Sequence, residues 1–275
     1  MTDTWFSGIF PGSKQSAEID TTVAHPARVY DYWLGGKDNF AADREAAERV
    51  LAVAPGLRFR VKANRAFLAR AVRFLATDCG IRQFLDIGTG IPSANNTHEV
   101  AQAAAPASRI VYVDNDPIVL AHARALLTST PEGATAYLEA DLREPDVILT
   151  AARQTLDFRQ PVALMLVGIL HLIQDAEEPY QIVSHLVDAL PPGSYLIISH
   201  PASDIHANQA EVQKRYNERV ATPQTLRSHA QVCRFFDGLL LVPPGVVYVH
   251  TWRPNPDDEP PTEMVSAHGG IGRKP

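Results

Sequence analysis

Apolar positions along this chain follow two rhythms in turn. Ala46, Ala47, Val50, Leu51 and Ala54 recur at helical spacing and stop before Pro55-Gly56. Ala63, Phe67, Ala71, Phe74 and Leu75 repeat that spacing and predict a helix over 62–76, with Gly80 just past its end. A stripe of this kind buries one helix face. From residue 83 the rhythm changes. Short, solid apolar runs at 83–87, 109–113, 134–139, 162–167 and 194–199 read as buried strands. Helical patterns separate them. Asp116-Pro117 opens one, with Asp as N-cap and Pro in the first turn, and Val119, Leu120, Ala123, Leu126 and Leu127 form its stripe. Pro145 and Pro179 open two more, and the second of these stops at Pro191-Pro192-Gly193. Strands alternating with helices predict an α/β fold, a parallel sheet with helices on both faces.

Spacing supports this reading. Asp86, Asp114, Asp141 and Gly168 stand at strand ends, 27 or 28 residues apart. One strand–helix–strand step takes roughly 30 residues. All four then fall on the carboxyl edge of the sheet, where open α/β folds bind ligands. Outside the core the pattern loosens. Residues 1–24 read as a loose tail. Residues 25–80 read as a helical cap, although its first part, 25–40, does not read as a simple helix or strand. The core occupies 81–275. Within it, 203–220 is expected to be helical, and Thr222-Pro223 is expected to start a helix running through Phe235. Runs at 239–242, 246–250 and 264–268 are strand-like, and Pro254 to Pro261 reads as a loop.

Composition narrows the class. The chain has 275 residues, 45% hydrophobic and 20% charged, enough for one large core. A net charge of -6 gives no electrostatic reason to expect nucleic acid as a partner. Cys79 and Cys233 form no C-x-x-C pair, so neither a zinc site nor a disulfide framework is expected, and a reducing cytoplasm suits both thiols. The longest apolar run, Val162 to Leu172, falls far short of the roughly 20 residues that span a bilayer, so no membrane partner is expected. His200, Asp204 and His206 have metal-ligand chemistry, but residue type alone does not make a metal site, and none is expected.

The chemistry concentrates around Phe84-Leu85-Asp86-Ile87-Gly88-Thr89-Gly90, a strand that runs into a tight glycine turn. Glycines there let a ligand approach the backbone. Asp114 closes the next strand, where a carboxylate can accept both hydroxyls of a ribose. A dinucleotide fingerprint would put a third glycine at position 93, which is Ser93. No G-x-S-x-G elbow or P-loop occurs.

An acid-x-Gly-x-Gly loop, an acid after the second strand and an acid after the third resemble the class I S-adenosylmethionine-dependent methyltransferases. DIGTGIPSANNTHEVAQ, VYVDNDPIVLAHARALL, YLEADLREP and VGILHLIQD resemble one actinobacterial S-adenosyl methyltransferase family, formerly a domain of unknown function. So do RVYDYWLGGKDNFAADREAAE near the start and GGIGRKP at the end. The resemblance implies a Rossmann-like seven-stranded methyltransferase sheet and S-adenosyl-L-methionine as cofactor. It implies that Gly88 and Gly90 pass under the methionine part, that Asp114 holds the ribose, and that Asp141 meets the adenine amino group. Asn115 and Leu142 would flank the ring, and Gly168 would leave room for the sulfonium. Asp86 would orient the loop or meet the methionine ammonium. Arg65 and Asn64 are candidate donors to the methionine carboxylate.

The expected reaction is methyl transfer to O or N of a small molecule. The rivals are a cofactor-binding sensor without catalysis and, less compatible with Ser93, a nicotinamide oxidoreductase. His171 and His200, after the fourth and fifth strands, are candidate general bases, or else structural groups bonded to nearby backbone. Tyr30, Trp33, Lys37, Asn39 and Phe40 are expected to cover the cofactor and shape the acceptor pocket, with Gly35-Gly36 letting the segment bend.

Overall fold

The computed structural model describes residues 20–275 apart from 53, 127, 206–212, 214–216, 218–222 and 256–264. Three helices come first: α1 (Pro26–Leu34), α2 (Ala41–Leu51) and α3 (Leu57–Thr77). Five strands then alternate with helices: β1 (Gln83–Ile87), α4 (Thr97–Ala104), β2 (Arg109–Asp114), α5 (Pro117–Leu126), β3 (Ala134–Glu139), α6 (Pro145–Ala152), β4 (Ala163–Val167), α7 (Pro179–Asp188) and β5 (Tyr195–Pro201). β6 (Leu240–Leu241), β7 (Val247–Tyr248) and β8 (Ala267–Arg273) complete the sheet.

The sheet order is β3-β2-β1-β4-β5-β8-β6, with β7 also paired to β8. The first five strands are mutually parallel, and β8 enters antiparallel beside β5, pairing Ile197 with Ile271. Period-two alternation divides the side chains between two cores. Leu85, Val111, Leu164 and Ile198 face a core built with α6 and α7. Phe84, Ile110, Met165 and Ile197 face one built with α3, α4 and Trp252. A third apolar cluster, Val29, Trp33, Ala47, Val50, Leu57 and Val61, joins α1, α2 and the start of α3 into a separate small core. That core is the physical basis of the cap. The other half of α3, from Phe67 to Ala76, belongs to the sheet's own core.

Seven strands were expected, and the described residues form eight. β6 and β7 both pair with β8, at Leu241↔Gly272 and Val247↔Gly269. They are two pieces of one edge strand, interrupted at Pro243-Pro244, where proline has no N–H to donate.

Several expected boundaries need correction. Residues 26–34 form a helix. Pro26 takes the first turn, and Gly35 closes the helix in the left-handed conformation. The aromatic and charged composition concealed these signals. The helix expected from Thr222 begins only at His229, because Ser228 caps it and its side chain accepts from the Gln231 N–H. The run expected at 264–268 extends as β8 through Gly269, Gly270 and Gly272. Glycine weakens a strand, but here it is sterically required. A Cβ on Gly269 would sit 2.8 Å from Val249 Cγ1 and 3.0 Å from Phe67 Cζ. The expected tail, apart from residues 20–24, falls outside the described residues, as do most of the expected 203–220 helix, His206 and most of the 254–261 loop.

Candidate functional site

A cavity of about 360 Å³ opens at the carboxyl edge of the parallel strands. Its walls include Asp86, Gly88 and Gly90 after β1, Asp114 and Asn115 after β2, Asp141 and Leu142 after β3, and Gly168 and His171 after β4. Asn64 and Arg65 of α3 and Tyr30 and Trp33 of α1 enclose it from the cap side. Four strand ends, from Ile87 to Val167, thus meet at one cleft.

The glycine turn is held by the next strand. The Gly88 N–H donates to Val113 O at 2.8 Å, and the Gly90 N–H donates to Asp114 Oδ2 at 2.8 Å. Asp114 Oδ1 accepts from the Asp116 N–H at 3.0 Å. Gly88 has φ +75°, and a Cβ there would press on Ile169 at 2.6 Å, so a side chain would collide with the opposite wall of the cleft. Gly90 (φ +68°) has open space where its Cβ would be, which lets a ligand lie against the backbone.

Three carboxylates line the cleft in different electrostatic settings. Burial pushes the Asp86 carboxyl up to about 6, against the hydrogen bond from Thr97 Oγ1 at 2.6 Å and the charge of Arg65; Asp114 adds to the rise. Burial also raises Asp114, opposed by the Asp116 and Gly90 N–H groups. Asp141 is lowered. Burial opposes this, but the Arg143 N–H, the Arg143 guanidinium and the Asn115 amide outweigh it. Asn115 Nδ2 donates to Asp141 Oδ2 at 3.0 Å, so these two form one polar edge.

On α3, Arg65 Nη2 donates to the carbonyls of Ala94 and Asn95, both at 3.2 Å, while its buried Nε has no hydrogen-bond partner. Asn64 Nδ2 donates to Tyr30 Oη at 3.1 Å, and its Oδ1 accepts from the Ser199 hydroxyl. Asn64 therefore ties the cap to the end of β5, directly against Gly168.

The two candidate histidines differ. His200 is fully buried, and both of its nitrogens are engaged. Nδ1 donates to Pro201 O at 2.8 Å, leaving Nε2 to accept from Arg227 Nη1 at 3.0 Å. Burial pushes it down to about 3. It lies outside the main cavity and reaches only a smaller adjoining chamber of about 50 Å³. His171 lines both spaces, and its Nδ1 has no partner. Burial holds it well below the usual histidine value, helped by His200, Arg60 and Arg227.

The cap residues divide as well. Tyr30 and Trp33 reach the cavity, whereas Lys37, Asn39 and Phe40 do not. Lys37 is exposed. Asn39 Nδ2 donates to Asp31 Oδ2 at 2.8 Å, and the Phe40 N–H donates to Asp43 Oδ2 at 2.8 Å. These residues build the α1–α2 turn instead of covering the ligand.

Sequence reasoning missed two features. The first is a clamp between the cap and the post-β2 loop. His25 Nδ1 lies 2.9 Å from Asp116 Oδ2, and Arg28 Nε lies 3.6 Å from both Asp43 and Asp116. Asp116-Pro117 gave a signal, but only for a helix start. The second is Arg227, fully buried. It donates to Leu170 O at 2.8 Å, Ile173 O at 2.9 Å and Asp175 Oδ1 at 2.7 Å, and so fastens the loop after β4. A lone arginine far along the chain carries no sequence signal for that role.

This geometry suits an adenosine-containing, zwitterionic ligand. It offers close backbone approach, a carboxylate pair at one end, and a buried, unpartnered arginine nitrogen beside another carboxylate at the other. A family model described as S-adenosyl methyltransferase matches residues 12–275. A crystal structure of a DUF574-family protein from Streptomyces avermitilis is 48% identical, covers 94% of this chain and all of that one, and superposes with a TM-score of 0.89. A candidate methyltransferase from Thermobifida fusca is 41% identical, with 96% and 99% covered and a TM-score of 0.86. No curated protein matches the chain.

The fold is a Rossmann-like α/β sheet with its cleft at the carboxyl ends of the parallel strands. The chain belongs to the S-adenosyl methyltransferase family. It is an S-adenosylmethionine-dependent methyltransferase, with that sulfonium compound as cofactor. Among the described residues no helix is long and apolar enough to cross a membrane.

Proposed function

We propose that the protein methylates O or N of a small molecule. The observation that carries this is the chamber of about 50 Å³ that continues the cofactor cleft past Gly168 and His171, beneath Tyr30 and Trp33 of the cap. That space, walled by α1, α3 and the end of β5, would admit the reacting end of an acceptor. The reaction is a displacement at a carbon already activated by positive sulfur. Alignment and exclusion of water therefore supply most of the catalysis, up to about 7–11 kcal/mol in favourable cases.

In this reading Asp114 accepts from the ribose hydroxyls, and Asp141 accepts from the adenine amino group, with Asn115 and Leu142 beside the ring. Gly88 and Gly90 admit the methionine part. Arg65 Nε, buried without a partner, donates to its carboxylate, with Asn64 behind it. Asp86 faces the ammonium, and Gly168 leaves room at the sulfur. His171 faces the acceptor, and His200, bonded at both nitrogens, holds His171 in place. The cap, residues 25–80, closes over the core, residues 81–275. The two free thiols suit a reducing cytoplasm.

The test supplies a metabolite extract and methyl-labelled S-adenosylmethionine, and follows label into small molecules by mass spectrometry. A labelled product supports the reading. Tight cofactor binding with no labelled product would instead indicate a sensor.

A further inference from the structure

The turn from Ser93 to Thr97 holds two side chains of opposite charge at one end of the cleft. On one side it fixes Arg65. Nη2 of that guanidinium donates to the carbonyls of Ala94 and Asn95, both at 3.2 Å, and lies 3.4 Å from Asn96 Oδ1. On the other side it meets Asp86. Thr97, the first residue of α4, donates its hydroxyl to Asp86 Oδ2 at 2.6 Å. The turn itself is braced. Asn96 Oδ1 accepts from the Ser93 N–H at 3.0 Å, and the Asn96 N–H donates to Glu99 Oε2 at 2.9 Å. Arg65 and Asp86 both line the cavity, whereas Asn96 and Thr97 stand behind it.

Asp86 and Thr97 are buried, at 4% and 1% exposure. Among the described residues, Thr97 is the one group that donates to the Asp86 carboxylate. A single short donor selects one rotation of that carboxylate, with Oδ2 turned to α4 and Oδ1 left for a ligand. Hydrogen bonds to an ionised acceptor are among the strong ones, so the selection is firm. The same bond opposes the effect of burial and helps to keep the carboxyl ionised. The hydroxyl's other neighbour is Met165 Sδ at 3.9 Å, too weak an acceptor to draw it away.

We propose that Thr97 is a positioning residue for the cofactor: through Asp86 it sets recognition of the ammonium at the amino-acid end, while Arg65, held by the same turn, takes the carboxylate. This deepens the methyltransferase reading and rests on its placement of Asp86. A zwitterion is read by the spacing of two opposite charges, and one braced turn fixes both members of the pair. Thr97 touches no ligand. A substitution there acts on the ammonium alone, which separates positioning from general support of the fold.

The test uses the full chain and two ligands: S-adenosylhomocysteine, and its analogue in which hydrogen replaces the amino group and the carboxylate remains. Calorimetry at neutral pH is expected to show the wild type binding S-adenosylhomocysteine at least about tenfold more tightly than the analogue. Thr97→Val keeps the shape of the side chain and removes the donor. It is expected to weaken S-adenosylhomocysteine at least about fivefold and to leave the analogue within about twofold. Thr97→Ser restores the donor and is expected to bind S-adenosylhomocysteine within about threefold of the wild type. Thr97→Cys, whose thiol is a weak donor of similar size, is expected to show the same selective loss in smaller measure, and it carries the test if the Val chain does not fold. Equal binding of the two ligands by the wild type, equal weakening of both in the Val or Cys chain, unchanged affinity for S-adenosylhomocysteine there, or no recovery with Ser would each overturn the proposal. Failure of S-adenosylhomocysteine to bind the wild type would overturn the underlying methyltransferase reading instead, so the two failures are distinguishable.

Discussion

Asp86 offers the sharpest test of the site's electrostatics. Its carboxyl is pushed up to about 6, first by burial, whereas the unfolded chain leaves it near the ordinary value of 3.8. At about 1.36 kcal/mol per tenfold, holding it ionised at neutral pH costs the ligand-free fold about 3 kcal/mol. The sign follows from proton counts. Between about pH 4 and pH 6 the native state keeps a proton that the unfolded state has lost, so stability falls as pH rises through that window. Asp86→Asn removes the titration and keeps an oxygen to accept from Thr97. Its other effects, such as burying a new amide N–H, do not vary with pH. The stability of the variant relative to wild type should therefore rise by about 3 kcal/mol between about pH 4 and pH 7.5. Urea denaturation of both proteins across that range measures it. Ligand binding should show the complementary effect. A cationic ammonium beside Asp86 favours the ionised form, so wild-type affinity for S-adenosylmethionine should rise as pH increases toward about 6 and then level off. The variant should bind more weakly at pH 7.5 and lack that dependence. A flat stability difference, together with unchanged affinity in the variant, would refute the reasoning.

If Asp114 holds the ribose as proposed, Asp114→Ala should remove those contacts and loosen the Gly90 turn, lowering cofactor affinity at least about tenfold by calorimetry, since one charge-assisted hydrogen bond is worth roughly 1.5–3 kcal/mol. Arg227→Met should leave the Ile173 carbonyl and His200 Nε2 without their donor, strip one of two donors from Leu170 O, and cost at least about 3 kcal/mol in urea denaturation; a loss below about 1 kcal/mol would show that the loop after β4 holds itself. Hydrogen exchange should slow over residues 26–34 on addition of S-adenosylmethionine. His25→Ala should weaken that protection by cutting the clamp to Asp116, whereas equal exchange with and without cofactor would make α1 a fixed wall.

Much of the sheet was legible because a parallel strand buried on both faces leaves an apolar run, as β1, β2, β4 and β5 do; β3, at the sheet edge, is only half-buried and reads more weakly. The glycine turn and the acids could be placed on one edge because each follows a strand at the spacing of one strand–helix step, and they do line one cleft. What escaped depends on tertiary packing. β8 reads as a poor strand because its three glycines make room for Phe67, Val249 and Phe236, residues remote in sequence. The α1 helix was hidden by aromatics that serve the cap's own small core. His200 and His171 look alike from their positions after strands. Only the three-dimensional contact with Arg227 shows that one is fully bonded and the other is not.

The place of β8 bears on how this protein is made. The last strand of the sequence does not lie at the rim but between β5 and the broken edge strand, and Lys274 just beyond it donates to Val187 O, Asp188 O and Leu190 O at the end of α7. A nascent chain can assemble β1 to β5 while synthesis continues, but β5 stays an open edge until β8 has left the ribosome. Open edges invite pairing with other chains. Deleting β8 would expose β5 along its whole length, and the loss should appear as aggregation during expression more than as a weakened active site.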